Sequence, residues 1–349
     1  MKIAIVEVSE SHEECIYTQV SFLKDAGHSV SLFIHPKIEP ETSYYKGILD
    51  NISIINFDIL KGLQKIKLEW KITQALKHFD KIIFNTASSS KSVRNICLFL
   101  KLYKVEAIGI IHSVTKLNNS FTQRIISTKI KKYLALNDFL KVNITLKNQT
   151  LKLASFYPIF FPNTPKTNIE SKKSNIWICI PGRVYFNRRD YDFLTQKLLE
   201  KAPLKNIKFI ILGNINTNDG ILFKEFILKH NLKNSFIFFE GFIKNSDYYN
   251  YIYNSDYIMP ILQTKDEVYL KDKITGTFNL AFGYKKPLLC NAFYKSFTDL
   301  AENGLFYTDS TFHKVIASLT TKPQPKNSYQ SAKWSYNYQK NKYLNFVVG

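Results

Sequence analysis

Residues 2–8 (KIAIVEV) alternate and then saturate with β-branched side chains, the pattern of a strand buried on both faces in a parallel sheet. Ser11 and Glu14 follow at capping-box spacing. Ile16, Val20 and Leu23 then recur on one helical face, and Gly27 supplies a stop. Residues 28–34 (HSVSLFI) read as the next strand, which completes a β-α-β unit with a right-handed crossover. The same change of period predicts strands at 52–57, 81–85, 107–112 and 132–136, with helices around 62–78, 89–103 and 121–129.

Between residues 157 and 175 the periodicity disappears. Pro158, Pro162 and Pro165, with polar residues between them, read as a linker. Alternation restarts with strands at 175–180, 207–212, 235–239, 257–261 and 287–290. Helices are predicted at 190–201, 220–230, 246–254, 275–283 and 311–319, and a last one at 331–346. The pattern predicts an α/β protein of two doubly wound, Rossmann-like domains facing a cleft. The expected division is a first domain over 1–163, a linker over 164–175 and a second domain over 176–325. A tail over 326–349 is expected to return to the first domain.

Composition narrows the class. Of the 349 residues 45% are hydrophobic, with 27 Phe and 21 Tyr, which excludes a disordered chain. No apolar run has the roughly 18 to 20 residues of a membrane-spanning helix. Acidic residues appear too early for a signal peptide, so a cytoplasmic protein is expected. Cys15, Cys97, Cys179 and Cys290 lie far apart, mostly inside apolar runs, and are expected as reduced core thiols. The net charge of +20 is shared by both halves of the chain. It fits an anionic partner, either a nucleotide or a membrane surface met peripherally. No nucleic-acid-binding module is recognisable, so none is expected as partner. Two basic stretches with apolar interleaving, lysines 61, 65, 67 and 71 and the run Lys129-Ile130-Lys131-Lys132, could meet anionic lipid or be solvated helix faces.

Only five of the 48 basic residues are Arg, and three of those five, Arg183, Arg188 and Arg189, lie within seven residues at the end of a predicted strand, just after Gly182. Guanidinium forks suit phosphate oxygens, and open α/β sheets bind ligands at the carboxyl ends of their strands. Lys271 and Lys273 precede Thr275-Gly276-Thr277 at the start of a predicted helix, a second anion-binding arrangement. Together they predict a diphosphate site. Asp190-Tyr191-Asp192 has metal-site spelling, but its place at a helix start beside two arginines makes that a decoy, and no metal is expected.

The chain resembles the GT-B glycosyltransferases, and among them the retaining family 4 group. Gly182-Arg183 with Arg188 is similar to that group's diphosphate-holding G-R-x-x-x-x-K pattern, and residues 209–213 (FIILG) to the strand and glycine that follow it. Residues 239–243 (FEGFI) are similar to an F-x-G-x-v strand beside the nucleotide base, 251–260 (YIYNSDYIMP) to an l-Y-x-x-A-D-x-f-v-x-P segment, and 282–287 (FGYKKP) to A-x-G-K-P. Ile110-Ile111-His112 and Pro162-Asn163 have counterparts in the first domain. The resemblance implies that Gly182, Arg183, Arg188, Gly213, Lys273, Thr275, Gly276 and Thr277 hold the donor diphosphate, with Phe242 and Ile243 beside the base. Two features of the group are missing. The Gly-Gly turn is replaced by Ser9-Glu10-Ser11. The glutamate pair spaced by seven residues has no counterpart: Asp266, Glu267 and Asp272 come nearest, and Asn279 or Leu280 stands where the second glutamate should hold the ribose.

On the acceptor side, His12, Glu13 and His112 are the candidates for acid–base chemistry, and Glu14 reads as a cap. His28 and His35 read as structural. The expected activity is transfer of a sugar from a nucleotide-diphosphate donor to a glycan or lipid-linked acceptor, with no cofactor beyond that donor. A nucleotide-sugar epimerase and a non-catalytic binding subunit of the same fold are the alternatives.

Overall fold

The structure, a computed structural model, describes residues 1–172, 174–201, 206–263, 268–321 and 328–349. The chain divides into two compact units, one of Met1–Pro162, Val268–Ile274 and Ser335–Gly349, the other of Asn163–Glu267 and Thr275–Trp334. In chain order the first contains β1 (Lys2–Glu7), α1 (Ile16–Asp25), β2 (Ser29–Ile34), β3 (Asn51–Ile54), α2 (Gly62–Leu76), β4 (Lys81–Phe84), α3 (Lys91–Leu100), β5 (Glu106–Ile111), α4 (Lys116–Asn119), α5 (Phe121–Ile126), β6 (Lys132–Ala135), α6 (Asp138–Val142) and β7 (Lys152–Ser155). The second has β8 (Ile176–Pro181), α7 (Tyr191–Glu200), β9 (Ile207–Asn214), α8 (Asn218–Lys229), β10 (Phe236–Phe239), α9 (Asn245–Asn254) and β11 (Tyr257–Ile258). The short α10 (Val268–Lys271) belongs to the first unit. The second resumes with α11 (Gly276–Tyr284), β12 (Leu288–Asn291), α12 (Thr298–Asn303), β13 (Gly304–Tyr307) and α13 (Phe312–Ser318), and α14 (Tyr336–Val347) closes the first.

Among the described residues the first unit has seven parallel strands in the order β3-β2-β1-β4-β5-β6-β7, and the second has six in the order β10-β9-β8-β11-β12-β13. Each sheet therefore reverses its winding once, between β1 and β4 and between β8 and β11. The doubly wound fold read from the sequence is the one observed. Strand interiors such as Ile3–Val6 and Ile178–Ile180 are at most 1% exposed, which is why they read as continuous apolar runs. All four cysteines are buried and unbridged.

Several local expectations differ from the structure. The predicted strand at 257–261 stops at Ile258, because Pro260 cannot donate to the ladder and Ile261 turns to a φ of 37°. Strand β7 was hidden within the polar sequence around Lys152, which is exposed at a sheet edge. Ser11 and Glu14 do not form a capping box. A short 3-10 turn over Glu13–Cys15 precedes α1, with His12 at a φ of 73° before it. On α9, Tyr249 and Ile252 are buried, whereas Tyr253 is 41% exposed.

The C-terminal helix is part of the first unit's core. Tyr343 and Val347 are fully buried, and the Tyr343 ring packs 5.3 Å from Phe156 and 5.6 Å from Phe22. Burial of the two side chains is worth roughly 1.5 to 3 kcal/mol each. No helix among the described residues is long and apolar enough to cross a membrane.

Candidate functional site

In the first unit the carboxyl ends of β1, β4 and β5 meet where the sheet changes direction. Glu7, the last residue of β1, is fully buried. Its Oε1 accepts from the backbone N–H (2.8 Å) and hydroxyl (2.7 Å) of Ser9, and its Oε2 from Asn85 Nδ2 (2.7 Å) and the Thr86 hydroxyl (2.6 Å). Burial raises its pKa against the pull of those donors. Asn85, just beyond β4 and also fully buried, ties the site together. Its Nδ2 also donates to the His12 carbonyl (2.9 Å), its Oδ1 accepts from Gln19 Nε2 (2.7 Å), and its carbonyl meets His112 Nε2 at 2.8 Å. Tyr343 on α14 donates to Gln19 Oε1 (3.1 Å), so the last helix braces the same network.

His12, Glu13 and His112 come together around this frame. The His12 and His112 rings lie 3.9 Å apart between centroids, and His12 Nδ1 is 3.6 Å from Glu14 Oε1. Glu14, expected as a cap, is therefore the partner of His12. Burial, then the His12 charge, lowers the pKa of His112 to about 3, so it is neutral at pH 7. Because its Nε2 faces a carbonyl, the proton resides there and Nδ1 carries the lone pair. Burial, then the Glu14 charge, pushes Glu13 up to about 8. The first unit thus carries a carboxyl group that gives up its proton near neutral pH and, separately, a neutral imidazole.

In the second unit the end of β8 turns at Gly182, whose φ of 98° favours glycine. A Cβ on Gly213, at the end of β9, would lie 2.3 Å from the Gly182 carbonyl oxygen, so only glycine admits that close approach. Arg183 and Arg188 are exposed on this turn, whereas Arg189 is 5% exposed. The buried guanidinium donates to the carbonyls of Pro181 and Pro260 (the latter at 3.1 Å) and reaches the Thr277 hydroxyl at 3.4 Å. It thereby holds the ends of β8 and β11 against the start of α11, where Thr275 is the N-cap and its hydroxyl accepts from the Thr277 N–H. Gly182, Arg183, Gly213 and Thr275-Gly276-Thr277 thus converge, at the second switch point. Phe242 is 78% exposed and Ile243 partly exposed after Gly241. Asn279 is 2% and Leu280 8% exposed within α11, and Asn279 Oδ1 has no hydrogen-bond partner among the described residues.

Lys273 lies elsewhere. Asp272 takes the Ser113 hydroxyl (2.6 Å) and the Thr115 N–H (2.9 Å) and hydroxyl (2.7 Å), which docks the segment Val268–Ile274 on the loop after His112 in the first unit. Asp266 and Glu267 lie outside the described residues. Asp190 caps α7 by accepting from Phe193 N at 3.2 Å.

Glu10, His35 and Asp58 form the one His–carboxylate group among the described residues compact enough for a metal ion. His35 Nδ1 accepts from the Lys37 N–H (3.2 Å), which places the ring proton on Nε2, 3.2 Å from Asp58 Oδ2, and Lys37 Nζ pairs with Glu10 at 2.6 Å. A ligand nitrogen needs its lone pair, and the ring as placed turns none to the two carboxylates, while Lys37 already pairs with Glu10.

Glu7 and Asn85, which organise the first of these sites, carried weak sequence signals, and Arg189 stood out as part of the arginine cluster but not as its buried member. Glu7 was visible as a lone carboxylate ending an otherwise apolar strand.

No protein-family model and no curated protein matches this chain. Solved structures do match along its length. HepE (Alr3699) of Anabaena, solved with UDP-glucose, superposes with a TM-score of 0.65 at 15% identity, over 100% of this chain and 96% of that one. UDP-GlcNAc 2-epimerase of Methanocaldococcus jannaschii gives 0.65 at 11% identity over 100% of both chains. The lipopolysaccharide outer core galactosyltransferase WaaB, in its apo form, gives 0.57 at 13% identity over 99% and 96%. The fold is therefore GT-B-like, shared with solved UDP-sugar epimerases and glycosyltransferases.

Proposed function

We propose that this chain is a sugar-nucleotide enzyme, a glycosyltransferase that moves a sugar from a nucleotide diphosphate to a glycan or lipid-linked acceptor on the cytoplasmic side of a membrane. The observation that carries the reading is Arg189. Its buried guanidinium joins the Gly182 turn to the Thr275–Thr277 helix start, so that two segments distant in sequence form one anion-binding surface with Arg183 and Arg188 on it. HepE, solved with UDP-glucose, and WaaB, a galactosyltransferase, support it through the shared fold.

In this reading the acceptor hydroxyl attacks the anomeric carbon as the bond to the diphosphate oxygen breaks. The hydroxyl proton passes to the Glu13 carboxylate, and His112 Nδ1 accepts a hydrogen bond that orients the acceptor. Arg183, Arg188 and the start of α11 stabilise the departing diphosphate. Phe242 and Ile243 flank the base. Family 4 membership belongs to the same reading, with retention of configuration left aside because the glutamate pair is missing.

A thermal-shift panel of UDP, GDP, CMP, ADP and dTDP tests the donor site. One diphosphate at about 100 times its Kd is expected to add roughly 2.7 kcal/mol, lost in Arg183→Ala with Arg188→Ala. No shift with any nucleotide would refute the assignment. The full-length match to a UDP-GlcNAc 2-epimerase favours a second reading, epimerisation at this site. Turnover of donor with no acceptor present separates the two.

A further inference from the structure

Helix α2 turns one face to the core, where Glu69, Ile72, Thr73 and Leu76 are buried. A second apolar stripe on the same helix is left uncovered. Leu63, Ile66 and Trp70 recur at helical spacing and are 76%, 44% and 39% exposed, and Ile59, just before the helix, is 72% exposed. The Trp70 ring lies edge-on to Phe99 at 5.3 Å, which joins the stripe to α3 and its exposed Leu98 and Leu102.

The charge around this stripe has one sign. Lys61, Lys67, Lys71, Lys101 and Lys104 are exposed, and none has an ion-pair partner among the described residues. Between Asp58 and Asp80 the only acidic residue is the buried Glu69, and from Lys81 to Val105 there is none. The other basic stretch in this unit is spent internally. Lys129 donates to the Tyr103 carbonyl (2.8 Å), Lys131 to the Ser127 carbonyl (2.8 Å), Lys132 pairs with Glu106 (3.0 Å), and Ile130 is buried.

We propose that the α2–α3 face is a docking surface for an anionic phospholipid bilayer. Lysine is depleted from protein–protein interface cores, whereas lysines flanking an apolar stripe that carries a tryptophan suit the headgroup region. Leu63, Ile66 and Trp70 enter the acyl boundary, and the lysines meet lipid phosphates. The inference stands apart from the proposed reaction, because vesicle binding is read with no sugar donor present.

The test uses the full chain with vesicles of phosphatidylcholine alone or with about a quarter phosphatidylglycerol, read by co-sedimentation and tryptophan emission. Trp177 and Trp334 are 0% and 3% exposed, so Trp70 is the reporter. Sedimentation with the anionic vesicles only is expected, with a blue shift that Trp70→Phe abolishes. Lys67→Glu with Lys71→Glu is expected to weaken partitioning at least about tenfold. Lys229→Glu with Lys233→Glu, an equal change of net charge on the second unit, is expected to alter it less than about threefold. Leu63→Gln with Ile66→Gln should weaken it with an unchanged circular-dichroism melt. Absence of wild-type sedimentation, an equal loss in both charge-reversed pairs, or self-association that Leu63→Gln dissolves would each overturn the proposal.

Discussion

His12 and His112 hold their imidazole rings 3.9 Å apart, with the planes tilted by 35°. Two imidazolium ions cannot occupy that spacing, so the pair holds at most one charge, and the surroundings favour His12 as its place. Burial alone would lower the His12 pKa, but the Glu14 carboxylate and the charges of Glu7 and Glu13 outweigh burial and raise it. His112, buried against a carbonyl and facing the charged His12, is held low.

Glu14→Gln removes the partner that fixes this order. The expected result is a lowered His12 titration midpoint, followed by the ring carbon–proton resonances in an NMR pH series. His112 should show no titration above pH 5 in wild type. A His12 midpoint indifferent to Glu14 would show that the 3.6 Å pair has no electrostatic weight.

Glu13 gives a pH dependence of stability with a definite sign. Its folded pKa, about 8, lies above its ordinary value of 4.5, so the folded state holds the proton more tightly. That contribution is complete below the unfolded pKa and is lost as pH rises through about 8. Glu13→Gln should therefore remove a decline in stability between pH 5 and pH 8 of about 2 kcal/mol, allowing for its partial exposure. Urea unfolding at several pH values measures it. In the proposed transferase, kcat/KM should also rise with pH up to about 8 in wild type and flatten in the variant.

Much of this was legible in the sequence because period and burial agree. The strands 2–7 and 176–181 are continuous apolar runs, and the arginine-rich turn stands out in a lysine-rich chain. What could not be read depends on contacts far along the chain. Nothing local distinguishes Arg189 from Arg188, yet one is buried against the Pro181 and Pro260 carbonyls and the other is exposed. The capping-box spelling of Ser11 and Glu14 lost to His12, whose left-handed backbone turns the Glu14 carboxylate to the imidazole. Asp272 sits four residues before the second unit's α11 but docks on Ser113 and Thr115, a choice no local pattern encodes.

The same contrast separates the arginines proposed to hold the diphosphate from the structural one. Arg183→Ala, at an exposed position, should change stability by less than about 0.5 kcal/mol and weaken diphosphate binding at least about tenfold. Arg189→Ala should cost about 3 kcal/mol, because two buried carbonyls lose their donor. Denaturant midpoints beside calorimetric titration with the nucleotide diphosphate would resolve the two effects. Equal destabilisation by both substitutions would contradict the assigned roles.

Asn85→Asp examines the frame of the first site. The substitution is isosteric but replaces the Nδ2 donor with an oxygen 2.7 Å from Glu7 Oε2, so two buried carboxylates must share one proton. At pH 7 the expected loss is about 3 to 5 kcal/mol. The shared proton raises the folded pKa of the pair above its unfolded value, so the loss should shrink as pH falls from 8 towards 5. The donor to the His12 carbonyl disappears at any pH, and that part, about 1 kcal/mol, should persist. Unfolding of the variant across this range would show stability rising with acidity. A loss below about 1 kcal/mol with no pH slope would mean that Glu7 and Asn85 do not share the buried contact on which the site rests.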